Sequence, residues 1–170
     1  MTKVMRKDPV LEDSALQAVE QHHAEMLLRL QALVNTLIRA VESQNPVTEH
    51  EAKGQLVQWC VTELIPHAPA EEGPLYGGPG NTEQGKLLVE GMLAEHRVIV
   101  NLVEQLRQSE GVRSAVAAGA IQQIFALHLD KENRLLMPLV VRSPEMSLAE
   151  AVQGLHELVG EARAHPHGHH

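Results

Sequence analysis

Four histidines of this 170-residue chain, His23, His67, His96 and His128, each fall on the apolar stripe of a helical pattern. Two of them are followed four residues later by a glutamate, His67 by Glu71 and His128 by Glu132. Residues four apart project from one helix face, so each pair could aim an imidazole and a carboxylate at one interior point. The chain holds 19 glutamates and 11 histidines, four of the latter in its last six residues. The other histidines would give roughly 0.8 such pairs by chance, so the pairs alone say little. Register says more. His23 lies about 20 residues before the end of the first helical pattern and His67 about 20 after the start of the second, roughly 30 Å along each. His96 and His128 lie about 13 residues before and about 15 after the next break, which again puts them at matching heights of a hairpin. The chain therefore reads as a twofold repeat, His…His-x-x-x-Glu and again His…His-x-x-x-Glu.

A cluster of four imidazoles and two carboxylates inside an apolar bundle is costly unless its members are protonated, paired or coordinated. Two divalent or trivalent cations resolve the problem. Each could take two imidazoles, with the glutamates bridging and an oxygen ligand between the metals. Mixed nitrogen and oxygen donors suit iron, manganese or zinc, and the lack of thiolate argues against soft metals. The single cysteine, Cys60, excludes an intrachain disulfide and any cysteine-based zinc or iron–sulfur site.

The elements that must position these residues follow from periodicity. The stripe Leu16, Val19, His23, Met26, Leu27, Leu30, Val34, Leu37, Ile38, Val41 predicts a helix over roughly 13–43. Asp13 or Ser14 is expected to cap its start and Asn45-Pro46 to end it. Thr48 and Glu51 read as a capping box opening a second helix through Leu56, Cys60, Leu64 and His67 towards Tyr76. Gly-Gly-Pro-Gly at 77–80 is a break. Asn81 or Thr82 caps a third helix with the stripe Val89, Met92, His96, Ile99, Val103, Leu106, closed by Gly111. A fourth runs from about Arg113 through Ile121, Phe125, His128 and Glu132 to Pro138, and a second capping box, Ser147 with Glu150, opens a shorter one with Leu148, Val152, Leu155 and Val159. The expected fold is all-α, an up-down-up-down four-helix bundle over 10–140. A short C-terminal helix over 141–163 packs on the bundle, and a disordered His-rich tail spans 164–170.

Composition agrees. Apolar residues make up 44% and charged residues 21%, the balance of a soluble globular chain. Aromatics are only 2%, so the core must come from aliphatic residues, which suits packed helices better than sheets. A net charge of −8 makes nucleic acid or an anionic membrane an unsuitable partner. No run approaches a membrane span, and the start has no apolar stretch for a signal peptide. The expected location is the cytoplasm.

The segments QHHAEMLLRL, IPHAPAEEGPLY, LAEHRVIVNL and LHLDKENRLLMP resemble those of the hemerythrin-like, or HHE cation-binding, domain, with the likeness covering residues 10 to 140. The resemblance implies a non-haem di-iron centre with two iron ions (Fe2+/Fe3+, oxo- or hydroxo-bridged; Mn or Zn possible). Its ligands would be His23, His67, Glu71, His96, His128 and Glu132, both glutamates bridging. Oxygen-carrying members have a fifth histidine four residues from another on the third helix. Here those positions are Met92 and Val100. The four-His, two-Glu set is closer to proteins that repair iron–sulfur centres after nitric oxide or oxidant damage, which usually carry an additional cysteine-bearing domain. The implied function is binding or reaction of O2, NO or peroxide in stress response or sensing, as enzyme, carrier or sensor. The alternative is iron binding for storage or delivery without turnover, and a third reading is a structural bundle acting through a protein partner.

Several neighbours carry two readings. His22 lies about 100° round the helix from His23, off the stripe. Glu72 is a substitute for Glu71, because Pro66 and Pro69 flank His67 and should kink or widen that helix. The distortion could open a path for a small molecule. Cys60 and Glu63 are either neighbours that support the ligands or, respectively, core and surface residues. Phe125 shields the site or simply packs, Met26 and Met92 read as core, and His50 and His156 as surface.

Overall fold

The computed structural model describes residues 6–154. Its elements are α1 (Pro9–Glu42), α2 (Pro46–Trp59), α3 (Ile65–Glu72), α4 (Gly77–Gly80), α5 (Glu83–Gln108), α6 (Val112–Lys131) and α7 (Met137–Arg142). A π-helical turn at Cys60–Leu64 joins α2 to α3, and a second at Glu132–Leu136 joins α6 to α7. Residues 148–154 are again helical, and no strand occurs among the described residues. The expected helix positions Leu155 and Val159, with His156 and the His-rich tail, lie outside the described residues. No helix among those described is long and apolar enough to cross a membrane.

The long elements form the up-down-up-down four-helix bundle: α1 packs against α2 and α6, and α5 packs against α6 and α2. Two apolar clusters fill it. One gathers Leu30, Leu37, Leu56, Cys60, Ile99, Val103, Leu106, Ile121 and Phe125. The other gathers Val19, Tyr76, Val89, Met92, Leu136, Met137 and Leu148. His23 falls between Val19 and Met26 on α1, His96 between Met92 and Ile99 on α5, and His128 between Phe125 and Leu136. The histidine level thus sits where the two apolar clusters meet.

Gly111, expected to close the third helix, instead precedes α6 as its N-cap, and α5 ends at Gln108; two helix starts depart from expectation in one consistent way. α1 begins at Pro9, capped by the Asp8 side chain accepting from Val10 N, and not at Asp13 or Ser14. Asn45-Pro46 starts α2 instead of ending α1: the Asn45 carboxamide oxygen accepts from Val47 N and Thr48 N. Thr48 is therefore inside the helix and the expected capping box does not form there. Proline at the first helical position loses no hydrogen bond and is preset for the helix, so Asp-Pro and Asn-Pro mark starts. α1 is closed by Gln44, in the left-handed region at φ 57°. Thr82 caps α5 as expected, its hydroxyl accepting from Gly85 N. The 77–80 break is a single short helical turn.

The fourth helical element runs on past Pro138 to Arg142, interrupted by its π-turn. Both π-turns have one cause. Pro66 and Pro138 each lack the N–H owed to the carbonyl four residues back, and each ring crowds that carbonyl. The helix widens just upstream, so that Ile65 N–H donates to Cys60 O and Met137 N–H to Glu132 O, five residues back. The sequence predicts this widening at Pro66 but not its twin at Pro138.

The segment 148–154 docks through Glu12. This α1 carboxylate accepts from Ser147 Oγ at 2.5 Å, Leu148 N at 2.8 Å and Ala149 N at 3.3 Å. Of the predicted Ser147–Glu150 capping box, the Glu150 N–H bond to Ser147 Oγ is present at 3.3 Å.

Candidate metal centre

All six residues singled out from the sequence converge. His23, His67, Glu71, His96, His128 and Glu132 are each buried, the two glutamates at 0% exposure. The rings of His23 and His67 lie 5.7 Å apart and those of His96 and His128 4.5 Å apart, as the matched heights require.

Their ligand-type atoms form two groups, one of His23, His67, Glu71 and Glu132 and one of Glu71, His96, His128 and Glu132, each within 4.8 Å. The carboxylates divide themselves between the two. Glu71 turns Oε1 to His67 Nε2 and, at 3.6 Å, to His23 Nε2, while its Oε2 lies 3.8 Å from both His96 Nε2 and His128 Nε2. Glu132 turns Oε2 to His23 Nε2 at 3.1 Å and Oε1 to His128 Nε2 at 2.8 Å. Each glutamate therefore offers one oxygen to each half.

Outer partners hold the rings in this pose. Nδ1 of His23 bonds the Asn133 amide oxygen at 2.9 Å, and Nδ1 of His96 bonds Glu72 at 3.0 Å. Nδ1 of His128 bonds Glu95 at 3.2 Å, and Lys131 holds Glu95 at 2.7 Å. An Nδ1–H donated outwards leaves the Nε2 lone pair facing in, the tautomer a metal ligand needs.

The cluster is consequently rich in acceptors and short of protons. His96 Nε2 and His128 Nε2 stand 3.0 Å apart, and with both Nδ1–H groups committed outwards their lone pairs oppose each other. His67 Nε2, Glu71 Oε1 and Glu132 Oε2 are buried without a hydrogen bond of acceptable geometry. A positive charge must stand among these atoms, as protons or as metal cations. The titration behaviour of the metal-free cluster says the same. Burial would lower His128, but hydrogen bonds to Glu132 and Glu71 push it up to about 10. His23 is raised in the same way by Glu71 and Glu132 against burial. Burial would raise Glu71, yet the charge of His67 and its other neighbours hold it well below the usual range. Burial and the adjacent Glu71 push Glu132 up to about 7. His96 is lowered by burial and by His128, despite Glu72.

The alternatives resolve. Glu71, not Glu72, faces the cluster; Glu72 is part-exposed and orients His96. His22 is exposed at the surface, and partial desolvation of its ring with the neighbouring His67 and His23 lowers its pKa. Cys60 is a core residue whose thiol burial pushes up to about 12, and Glu63 and His50 are exposed. Met26 and Met92 are core. Phe125 both packs in the core and lines a small, mostly apolar pocket with Leu64, Ile65 and Ala68, whose lining also includes His67, His96 and His128. That pocket abuts the π-turn ahead of Pro66.

Sequence reasoning missed four participants: Tyr76, Glu95, Lys131 and Asn133. Tyr76 is 1% exposed, and its hydroxyl lies 2.5 Å from Glu132 Oε1, 3.0 Å from His128 Nε2, 3.2 Å from Glu71 Oε2 and 3.3 Å from His96 Nε2. Burial and the two carboxylates raise its pKa, keeping it a phenol in the metal-free cluster. A signal existed, because a buried tyrosine needs a partner for its hydroxyl and this chain has one tyrosine. Glu95, Lys131 and Asn133 adjoin His96, Glu132 and Glu132 in sequence, and such adjacency carries no pattern of its own.

Among known families, the model of the hemerythrin HHE cation binding domain matches residues 14–140. No curated protein and no solved structure was found to match the chain.

Proposed function

The chain belongs to the hemerythrin HHE cation-binding family, and from that premise we propose that it is a non-haem di-iron protein that binds or reacts with O2, NO or peroxide. The observation that carries this reading is the division of Glu71 and Glu132, each with one oxygen toward each histidine pair. His23 and His67 would hold one ion, His96 and His128 the other, with both glutamates bridging. When bound, such a pair supplies redox capacity and open coordination positions to a small molecule.

The chain's own residues supply the rest. Asn133, Glu72 and Glu95 fix the ring poses, and Lys131 balances the charge of Glu95. Leu64, Ile65, Ala68 and Phe125 line an apolar approach suited to a small uncharged molecule and unsuited to a large or ionic one. A role in oxidative or nitrosative stress, as sensor or scavenger, fits this approach. Storage or delivery of iron is less favoured. Three of the four imidazoles are locked by outer partners, which favours a retained metal over a released one.

The test is elemental analysis with absorption spectroscopy on protein in which His165, His167, His169 and His170 are alanine, so that the tail carries no metal. About two irons per chain and a spectrum that changes on adding NO or peroxide are expected. No stoichiometric metal after anaerobic ferrous reconstitution would reject the proposal. Two irons that a mild chelator strips within minutes, with no response to NO or peroxide, would favour delivery.

A further inference from the structure

Tyr76 stands apart from the family's histidine and glutamate ligands. It is carried by the turn after α3, five residues beyond Glu71, and belongs spatially to one half of the cluster only. Its oxygen contacts all four members of the His96/His128 group at 2.5–3.3 Å. Among the described residues, no hydrogen bond or ring contact links it to His23 or His67.

Two geometries are compatible with an oxygen near four ligand atoms. It could sit at their centre, where a cation would sit, or it could be a fifth member of the shell. Ligand atoms about 2.1 Å from a common cation lie about 3.0 to 3.4 Å apart, whether octahedral neighbours or tetrahedral. Four atoms spread about a central oxygen at 3 Å would instead lie about 5 Å apart. The observed spacings are 2.8 Å for His128 to Glu132, 3.0 Å for His96 to His128, and 3.8 Å from Glu71 Oε2 to either ring. The two shorter ones are close to the spacings of a metal shell, all are well short of 5 Å, and the tyrosine oxygen stands 2.5–3.3 Å from the same four residues. It is a further member of the shell.

Proton counting agrees. The phenol has one hydrogen, and its 2.5 Å contact with Glu132 Oε1 uses it. The same oxygen then faces His96 Nε2 and His128 Nε2 with lone pairs, against rings whose Nδ1–H groups point outwards. Three acceptors facing one another call for a positive charge between them, a proton or a metal ion, and a metal ion serves all three at once.

We propose that Tyr76 is a phenolate ligand of the ion held by His96 and His128, making the two halves of the centre chemically unequal. This rests on the di-iron reading above. On binding, the Tyr76 O–H bond breaks, the proton leaves to solvent, and the phenolate oxygen bonds the metal with no change of oxidation state.

The single tyrosine makes the test unambiguous, because any phenolate signal must come from Tyr76. The full chain, with its four tail histidines replaced by alanine, is reconstituted with ferrous iron and oxidised in air. Metal content is then measured beside the visible and resonance Raman spectra. Two irons per chain, a tyrosinate-to-ferric charge-transfer band, and ring modes that shift when ring-deuterated tyrosine is incorporated are expected. Tyr76→Phe should lose the band and those modes completely. The isotope shift in the unmutated chain decides the matter even if that variant folds poorly. Two irons without phenolate modes would overturn this inference and leave the di-iron reading intact, whereas no stoichiometric iron would overturn both.

Discussion

Replacing Glu132 by glutamine should have opposite effects on stability with and without metal. Glu132 is fully buried and offers an oxygen to each half of the centre. In the metal-free protein, burial and Glu71 push its carboxyl from 4.5 up to about 7. A raised carboxyl pKa means that the folded state prefers the acid. The cost of ionising it is absent below pH 4.5 and grows as the pH rises towards 7. At neutral pH it reaches about 2–3 kcal/mol, at about 1.4 kcal/mol per pKa unit. Glutamine keeps the shape, can accept from the Tyr76 hydroxyl and carries no charge. After the desolvation of its own amide, metal-free Glu132→Gln should be about 1–2 kcal/mol more stable than the unmutated chain at pH 7. At pH 4 the gain should vanish. With metal the sign reverses. Each ion present at a hundred times its Kd stabilises by about 2.7 kcal/mol. Two ions then give about 5 kcal/mol, or about 10–20 °C in Tm for a chain of this size. Because Glu132 serves both halves, the variant should lose most of that increment. The assay is denaturation of both proteins at pH 7 and pH 4, with a chelator and after ferrous loading. An equal loss of stability in every condition would refute the reasoning, making Glu132 an ordinary buried structural group.

His67→Ala removes a ligand from the first group only, so metal content should fall from two ions per chain to one by elemental analysis; loss of both would contradict two separable halves. Glu12→Gln tests the docking of 148–154. Burial alone would raise the Glu12 carboxyl, but the Ser147 hydroxyl and the Leu148 and Ala149 amides, with Lys7, hold it below its usual value. A lowered pKa gives stability that is present at neutral pH and lost as the pH falls below 4.5. The substitution should therefore cost about 1–2 kcal/mol at pH 7 and little at pH 3 in guanidine denaturation. Gln44→Gly should stabilise by about 1 kcal/mol, because φ 57° strains any residue with a Cβ, and a lower midpoint would show that the Gln44 side chain matters more. Gly91→Ala, mid-helix on α5 with open space around the new methyl, should add about 0.5–1 kcal/mol in the same assay.

Residue spacing alone shows which residues share a helix face and at what height. Helical period and rise are local properties, so the stripes through His23, His96 and His128, the i,i+4 pairs and the hairpin register could all be read from spacing. Helix starts are less legible where a proline reads equally as a stop, as at Asn45-Pro46, although its place at the first helical position is also a local rule. What lay beyond reach was everything that depends on how elements close on one another. Glu71 and Glu72 differ by one residue on a helix that a π-turn has re-phased, and only packing decides which carboxylate turns inwards. The π-turn before Met137 was hidden for the same reason: a proline reports a lost hydrogen bond, not how the helix repairs it. The outer partners Glu95, Lys131 and Asn133, and above all Tyr76, meet the cluster across helices. Tyr76 reaches His128 and Glu132 from more than fifty residues away in sequence, at distances of 3.0 and 2.5 Å. Periodicity along one helix carries no information about a contact of that kind. The division of each carboxylate between two histidine pairs is likewise a property of four helices at once, and only the tertiary structure decides it.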